Sequence, residues 1–163
     1  MNRKEVIRNA AGEPFMLMNG LTKEFSYIAV DPGTTESAFV VLTGELPNHF
    51  GKVGNEDMLT ILNQHKRHCG RMVIEMVASY GKPVGETTFE TCLWIGRFIQ
   101  AWGGADYSKV KRHEVKMHMC HSMRGVTDST ITHAIYDRLG GDRKACHGNK
   151  KNPGPRYGVK KDS

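Results

Sequence analysis

Nowhere in these 163 residues does an apolar run approach the roughly 18 positions that a membrane-spanning helix needs. The opening stretch, MNRKEVIRNAAGEPFMLMNG, also lacks the apolar core of roughly 7–15 residues and the small-residue cleavage site of a secretory signal. Both absences point to a cytoplasmic protein with no membrane partner. Cysteine is scarce and scattered: Cys69, Cys92, Cys120 and Cys146 form no CxxC pair. Such spacing suits reduced thiols in a reducing compartment better than a disulfide framework. A zinc site would have to be assembled from His65, His68 and Cys69, from His113, His118, Cys120 and His121, and from Cys146 and His147. None of these groups has the paired spacing of a structural zinc motif, so surface histidines and buried thiols are expected instead. Repeats and low-complexity tracts are missing as well.

What remains is ordinary in bulk and uneven in charge. Hydrophobic residues make up 39% of the chain and charged ones 25%, values typical of a globular protein, and the length suits one domain with a real core rather than two. The net charge of +6 is not spread evenly: residues 107–163 hold 13 Lys and Arg against 5 Asp and Glu, a balance of +8, which leaves −2 for residues 1–106. A basic third on a mildly acidic remainder is the footprint of a protein that neutralises a polyanion, and equally of a solvated basic tail. Charge alone leaves both open.

Along the chain, residues 1–24 are polar, with Gly12-Glu13-Pro14 breaking any helix, and read as an N-terminal extension. Residues 25–30 are a short β-rich run that ends in Asp31-Pro32-Gly33, where proline and glycine turn the chain. Residues 37–42 form the second strand of a hairpin, and a third is expected near 50–53. Asn55 is placed to cap a helix over 56–68, which Gly70 stops. Residues 71–75 are a strand ending, like the first, in a carboxylate. A long helix over 86–102 carries Phe89, Leu93, Trp94, Phe98 and Trp102, as core or as an interface, and ends at Gly103-Gly104. A fifth strand over 107–111, helices over 114–122 and 128–139, the latter capped by Asp128, and a loop over 140–157 complete the series. Strands first, then alternation with helices, predict a mixed α/β sheet flanked by helices.

Two carboxylates at the ends of apolar strands need an explanation, because they would repel one another if the strands were neighbours. A divalent cation resolves the conflict: hard oxygen donors suit Mg2+ or Mn2+, and such ions activate water for phosphodiester cleavage. Asp31 and Glu75 are therefore candidate metal ligands. The plainer reading makes Asp31 a turn-former before Pro-Gly and Glu75 a solvated strand end.

The stretch Tyr27-Ile28-Ala29-Val30-Asp31-Pro32-Gly33-Thr34-Thr35-Glu36-Ser37-Ala38 resembles the first-strand acidic motif of RuvC-type Holliday-junction resolvases, and Val73-Ile74-Glu75 resembles their second catalytic strand. Tyr80-Gly81-Lys82-Pro83-Val84-Gly85, Phe89-Glu90-Thr91, Trp94-Ile95-Gly96-Arg97-Phe98, His113-Glu114-Val115-Lys116-Met117-His118-Met119-Cys120 and Pro153-Gly154-Pro155-Arg156-Tyr157-Gly158-Val159-Lys160 are similar to segments of the bacteriophage members of that family. The likeness spans roughly residues 25–163. Asp-Pro-Gly is weak alone; the joint occurrence is specific.

The resemblance implies an RNase H-like domain over 25–163, with a mixed five-stranded sheet and its last helix missing, because resolvases of this kind continue past the Tyr-Gly-Val-Lys segment into a helix carrying their last acids. It implies a homodimeric crossover-junction endonuclease in a bacterial host's cytoplasm, using Mg2+ or Mn2+ and no small-molecule cofactor. Asp31, Glu75 and Asp162 would hold metal, with Asp128 in reserve for the third place and Lys116 leading toward the scissile phosphate. The dimer contact falls on the long helix, where Arg97 suits a surface or dimer contact. Tyr80 would stack on an unpaired base. Lys82, Lys109, Lys111, Arg112, Arg124, Lys150, Lys151, Lys160 and Lys161 are phosphate-contact candidates as a set. Two other readings stay open: a truncated module that binds branched DNA but cuts poorly, and an RNase H-fold nuclease acting on RNA–DNA hybrids.

Overall fold

A computed structural model describes residues 26–44, 46–79, 81, 83–103, 106–122 and 124–157. The extension over 1–24 lies outside the described residues, as do Tyr80, Lys82, Lys160, Lys161 and Asp162. The expected mixed five-stranded sheet is present. In chain order the elements are β1 (Ser26–Asp31), β2 (Glu36–Thr43), β3 (Leu46–Gly54), α1 (Asn55–His65), β4 (Arg71–Met76), α2 (Glu86–Trp102), β5 (Tyr107–Lys111), α3 (Arg112–Cys120), α4 (Asp128–Leu139) and α5 (Arg143–His147). The strands lie in the order β3-β2-β1-β4-β5. β1, β2 and β3 are antiparallel, whereas β1, β4 and β5 run parallel.

Turn chemistry sets the β1–β2 hairpin. A Cβ added at Gly33 would stand 2.3 Å from the Glu36 carbonyl oxygen, so only glycine lets the chain reverse there. The third strand is longer than the expected 50–53 because pairing with β2 extends it back to Leu46, over Pro47, a residue of poor strand propensity. It is an edge strand, where a proline costs no ladder bond.

The helix starts differ from expectation for one recurring reason: the capping residue is chosen by the local chain path. α1 begins at Asn55 itself, after Gly54, and has no side-chain cap. α3 begins at Arg112, two residues early, because the Glu114 carboxylate accepts the Lys111 backbone N–H. α4 is capped by Thr127, whose hydroxyl accepts the Thr130 N–H, and Asp128 is its first helical residue rather than its cap. Within the expected loop over 140–157, Asp142 caps the short α5 by accepting the Ala145 N–H at 2.7 Å. The chain then folds back so closely that a Cβ on Gly154 would lie 2.3 Å from the Ala145 carbonyl oxygen.

Strand alternation sorts the sheet's two faces. Ile28, Val30, Phe39, Val41, Met72 and Ile74 point to one face and are buried against Met58 and Leu62 of α1 and Ile95, Phe98 and Trp102 of α2. Phe89 and Leu93 of α2 are not core; they are 60% and 70% exposed. On the other face Ala29, Val40, Val73 and Val110 meet Val115 of α3 and Ile135 and Leu139 of α4 across a cavity of about 750 Å³. The expectation of surface histidines fails at His65, which is buried. Burial first, then the neighbouring His49 and His68, pushes its pKa down to about 4, so it packs as a neutral ring beside His49. Cys69 and Cys146 are buried, while Cys92 and Cys120 are only partly covered.

Candidate metal centre

Asp31 and Glu75 are brought side by side by the parallel pairing of β1 and β4, in which Val30 is opposite Ile74 and the two acids take the next step. Neighbouring strands lie about 4.8 Å apart, and residues one step beyond inward-facing Val30 and Ile74 point to the opposite face. Both acids accordingly line the cavity beneath α3 and α4. Burial raises the pKa of Asp31, against the opposing pull of the Arg112 guanidinium. Glu75 is raised by burial and by the Asp31 charge, with Arg112 lowering it and Asp128 adding a further upward push. A pair of carboxyls held in this way favours whatever neutralises it, a proton or a cation.

The turn that carries Asp31 is held by a ring of hydrogen bonds. The Gly33 N–H donates to Ser37 Oγ at 3.2 Å, the Ser37 hydroxyl donates to Asn55 Oδ1 at 2.6 Å, and Asn55 Nδ2 donates back to the Gly33 carbonyl at 3.0 Å. The Asn55 backbone N–H adds a bond to the Thr35 carbonyl at 3.0 Å. Ser37 and Asn55 are both buried. Asn55 is therefore a brace between α1 and the acidic turn rather than the helix cap that its position suggests. Its role is set by a partner 22 residues away, which local spacing does not reveal.

Arg112 is the other residue whose place the sequence does not announce. Met76 pairs with Lys111 at the end of β4 and β5, so the next residue, on the first turn of α3, stands beside Glu75. Its Nη1 lies 4.0 Å from Glu75 Oε1, and its Nη2 donates to Asp128 Oδ1. The fold thus groups Asp31, Glu75 and Asp128 around one guanidinium. Among the described residues, no three His, Cys, Asp or Glu side chains are grouped so that they could hold a metal ion. The donor set still fits a hard divalent ion: Mg2+ keeps several waters and is commonly held by one or two carboxylates plus substrate phosphates.

The remaining candidates are dispersed. The Lys116 ammonium donates to the Val126 carbonyl at 3.0 Å, tying α3 to the segment before α4. Lys109 and Lys111 on β5, Arg124, and Lys150 and Lys151 after α5 are exposed. Arg97 pairs with Glu56 at 2.9 Å and covers the Trp94 ring, joining α2 to α1 at the surface. Among the described residues, no helix is long and apolar enough to cross a membrane.

No family model matches the chain, and no curated protein does either. Among solved structures, RuvC from Thermus thermophilus in complex with a Holliday junction substrate is similar at a TM-score of 0.51 and 14% identity, over 72% of this chain and 98% of that one. A second structure of Thermus thermophilus RuvC is similar at 0.50 and 14% identity, over 71% and 97%. At such low identity the likeness speaks to architecture, and it covers nearly the whole of those chains. With its mixed five-stranded sheet and flanking helices, this chain has the RNase H-like fold of RuvC.

Proposed function

We propose that the chain is a divalent-metal-dependent endonuclease that hydrolyses phosphodiester bonds in four-way and other branched DNA, a resolvase of the bacteriophage type working as a homodimer. The observation that carries this reading is the Asp31–Glu75 pair, held on adjacent parallel strand ends within a fold shared with a protein solved on a Holliday junction. Asp31 and Glu75 would hold Mg2+ or Mn2+, with Asp162 or Asp128 adding a third carboxylate. Such an ion, when bound, lowers the pKa of a water and stabilises the leaving oxygen. The chain's own contribution is position: two strand ends in one sheet fix the carboxylates, and the Ser37–Asn55 brace keeps the Asp31 turn from opening. The basic residues of the last third would supply phosphate contacts together with Lys82 on the segment after Glu75, where Tyr80 would stack on an unpaired base.

The test is product analysis with Mg2+ on a four-way junction, an RNA–DNA hybrid and a plain duplex. Paired nicks in the junction alone support the proposal. Cutting of the hybrid alone makes the chain an RNase H-type nuclease, and junction binding without products makes it a binding module.

The dimer would form through α2, where Phe89 and Leu93 stand one turn apart and exposed. Leu93→Glu should turn a dimer into a monomer with unchanged circular dichroism, read by light scattering after gel filtration. A monomeric unmodified protein at every concentration would exclude this contact. For the phosphate contacts, Lys150→Ala with Lys151→Ala should make the slope of log affinity against log salt shallower by about 1.8, at roughly 0.9 per lost contact. An unchanged slope would remove both lysines from the interface.

A further inference from the structure

The Arg112 guanidinium lies 4.0 Å from Glu75, and its charge also acts on Asp31. One fork of its guanidinium faces Glu75 and the other holds Asp128, so these two acids are kept apart by the width of that group. Its backbone is fixed, because α3 starts there behind the Lys111–Glu114 capping contact. The side chain is not confined: it is 47% exposed and can leave for solvent without disturbing the core. Asp128 is available to move as well. Thr127 caps α4 in its place, and the Asp128 side chain is 80% exposed.

We propose that Arg112 is a built-in competitor of the divalent cation: it offsets part of the charge of the Asp31–Glu75 pair in the metal-free protein, engages Asp128 beside it, and must swing out when metal enters. The proposal rests on the reading of Asp31 and Glu75 as metal ligands. Arg112 offsets part of the repulsion among three neighbouring carboxylates, and it makes metal entry release both a third acid and a guanidinium beside the scissile phosphate. Planar, permanently charged and forked, arginine suits two carboxylates at once in a way that lysine does not.

The experiment is calorimetric titration of Mn2+ into the unmodified protein, Arg112→Gln and Arg112→Lys, with melting temperatures in EDTA and in Mn2+. Arg112→Gln should bind Mn2+ about tenfold more tightly, since a positive charge no longer opposes the ion. It should melt lower in EDTA and regain more stability on adding Mn2+ than the unmodified protein does. Arg112→Lys keeps the charge but cannot bridge both acids, and should bind Mn2+ about threefold more tightly. If Arg112→Gln does not fold, Arg112→Lys decides. Unchanged or weaker Mn2+ affinity in the folded variants, beside clear binding by the unmodified protein, overturns the competitor role alone. Absence of Mn2+ binding in every form overturns it together with the metal centre.

Discussion

Asp31→Asn or Glu75→Gln should abolish junction cleavage, a loss of about a thousandfold or more, while junction binding persists or tightens. Each change removes one of two strand-end carboxylates on which the proposed centre depends, and several kcal/mol of transition-state stabilisation go with the ion, each 1.4 kcal/mol or so being a factor of ten. Binding follows the opposite sign. Burial raises the pKa of both carboxyls, the Asp31 charge raises that of Glu75 further, and the two would repel a phosphate as well. Removing one negative charge relieves both. The measurement is paired: product formation with Mg2+, and affinity for the same junction with Ca2+ or EDTA. Full cleavage by either variant would return Asp31 to a turn-former and Glu75 to a solvated strand end.

Asn55→Ala should destabilise the fold by about 3 kcal/mol, because a buried hydroxyl and a backbone carbonyl each lose a partner at roughly 1–3 kcal/mol apiece. The loss falls on the Ser37 hydroxyl and the Gly33 carbonyl, both of which depend on the Asn55 amide. Urea denaturation gives the magnitude as a shift of midpoint at constant slope. Mn2+ affinity should also fall in the folded fraction, since the Asp31 turn would no longer be braced. A change below about 0.5 kcal/mol would mean that the ring of hydrogen bonds is made good by water or by rearrangement.

Much of the scaffold is legible residue by residue. The apolar runs before Asp31 and Glu75 are strands because alternate residues such as Ile28 and Val30, or Met72 and Ile74, have one buried face to fill. The helix Glu86–Trp102 matches its expected span, bounded by Gly103 in the left-handed conformation. Legibility fails where a residue's partner lies elsewhere in the chain. Asn55 and Asp128 both sit where a cap belongs, yet one braces the acidic turn and the other pairs with Arg112. Phe89 and Leu93 have core-like spacing and are exposed. Asp162, the acid matched by resemblance to a third ligand, lies outside the described residues.

By itself, then, the sequence determined the local elements, the Asp-Pro-Gly turn and the basic last third, because propensity, alternation and turn chemistry act over a few neighbouring residues. Only the tertiary structure decided that β1 lies parallel to β4, and so that Asp31 meets Glu75. It also decided that Arg112, one basic residue among many in that third, stands beside them. Strand order and register join segments far apart in the chain, and electrostatic partners follow from that joining, which no local pattern encodes.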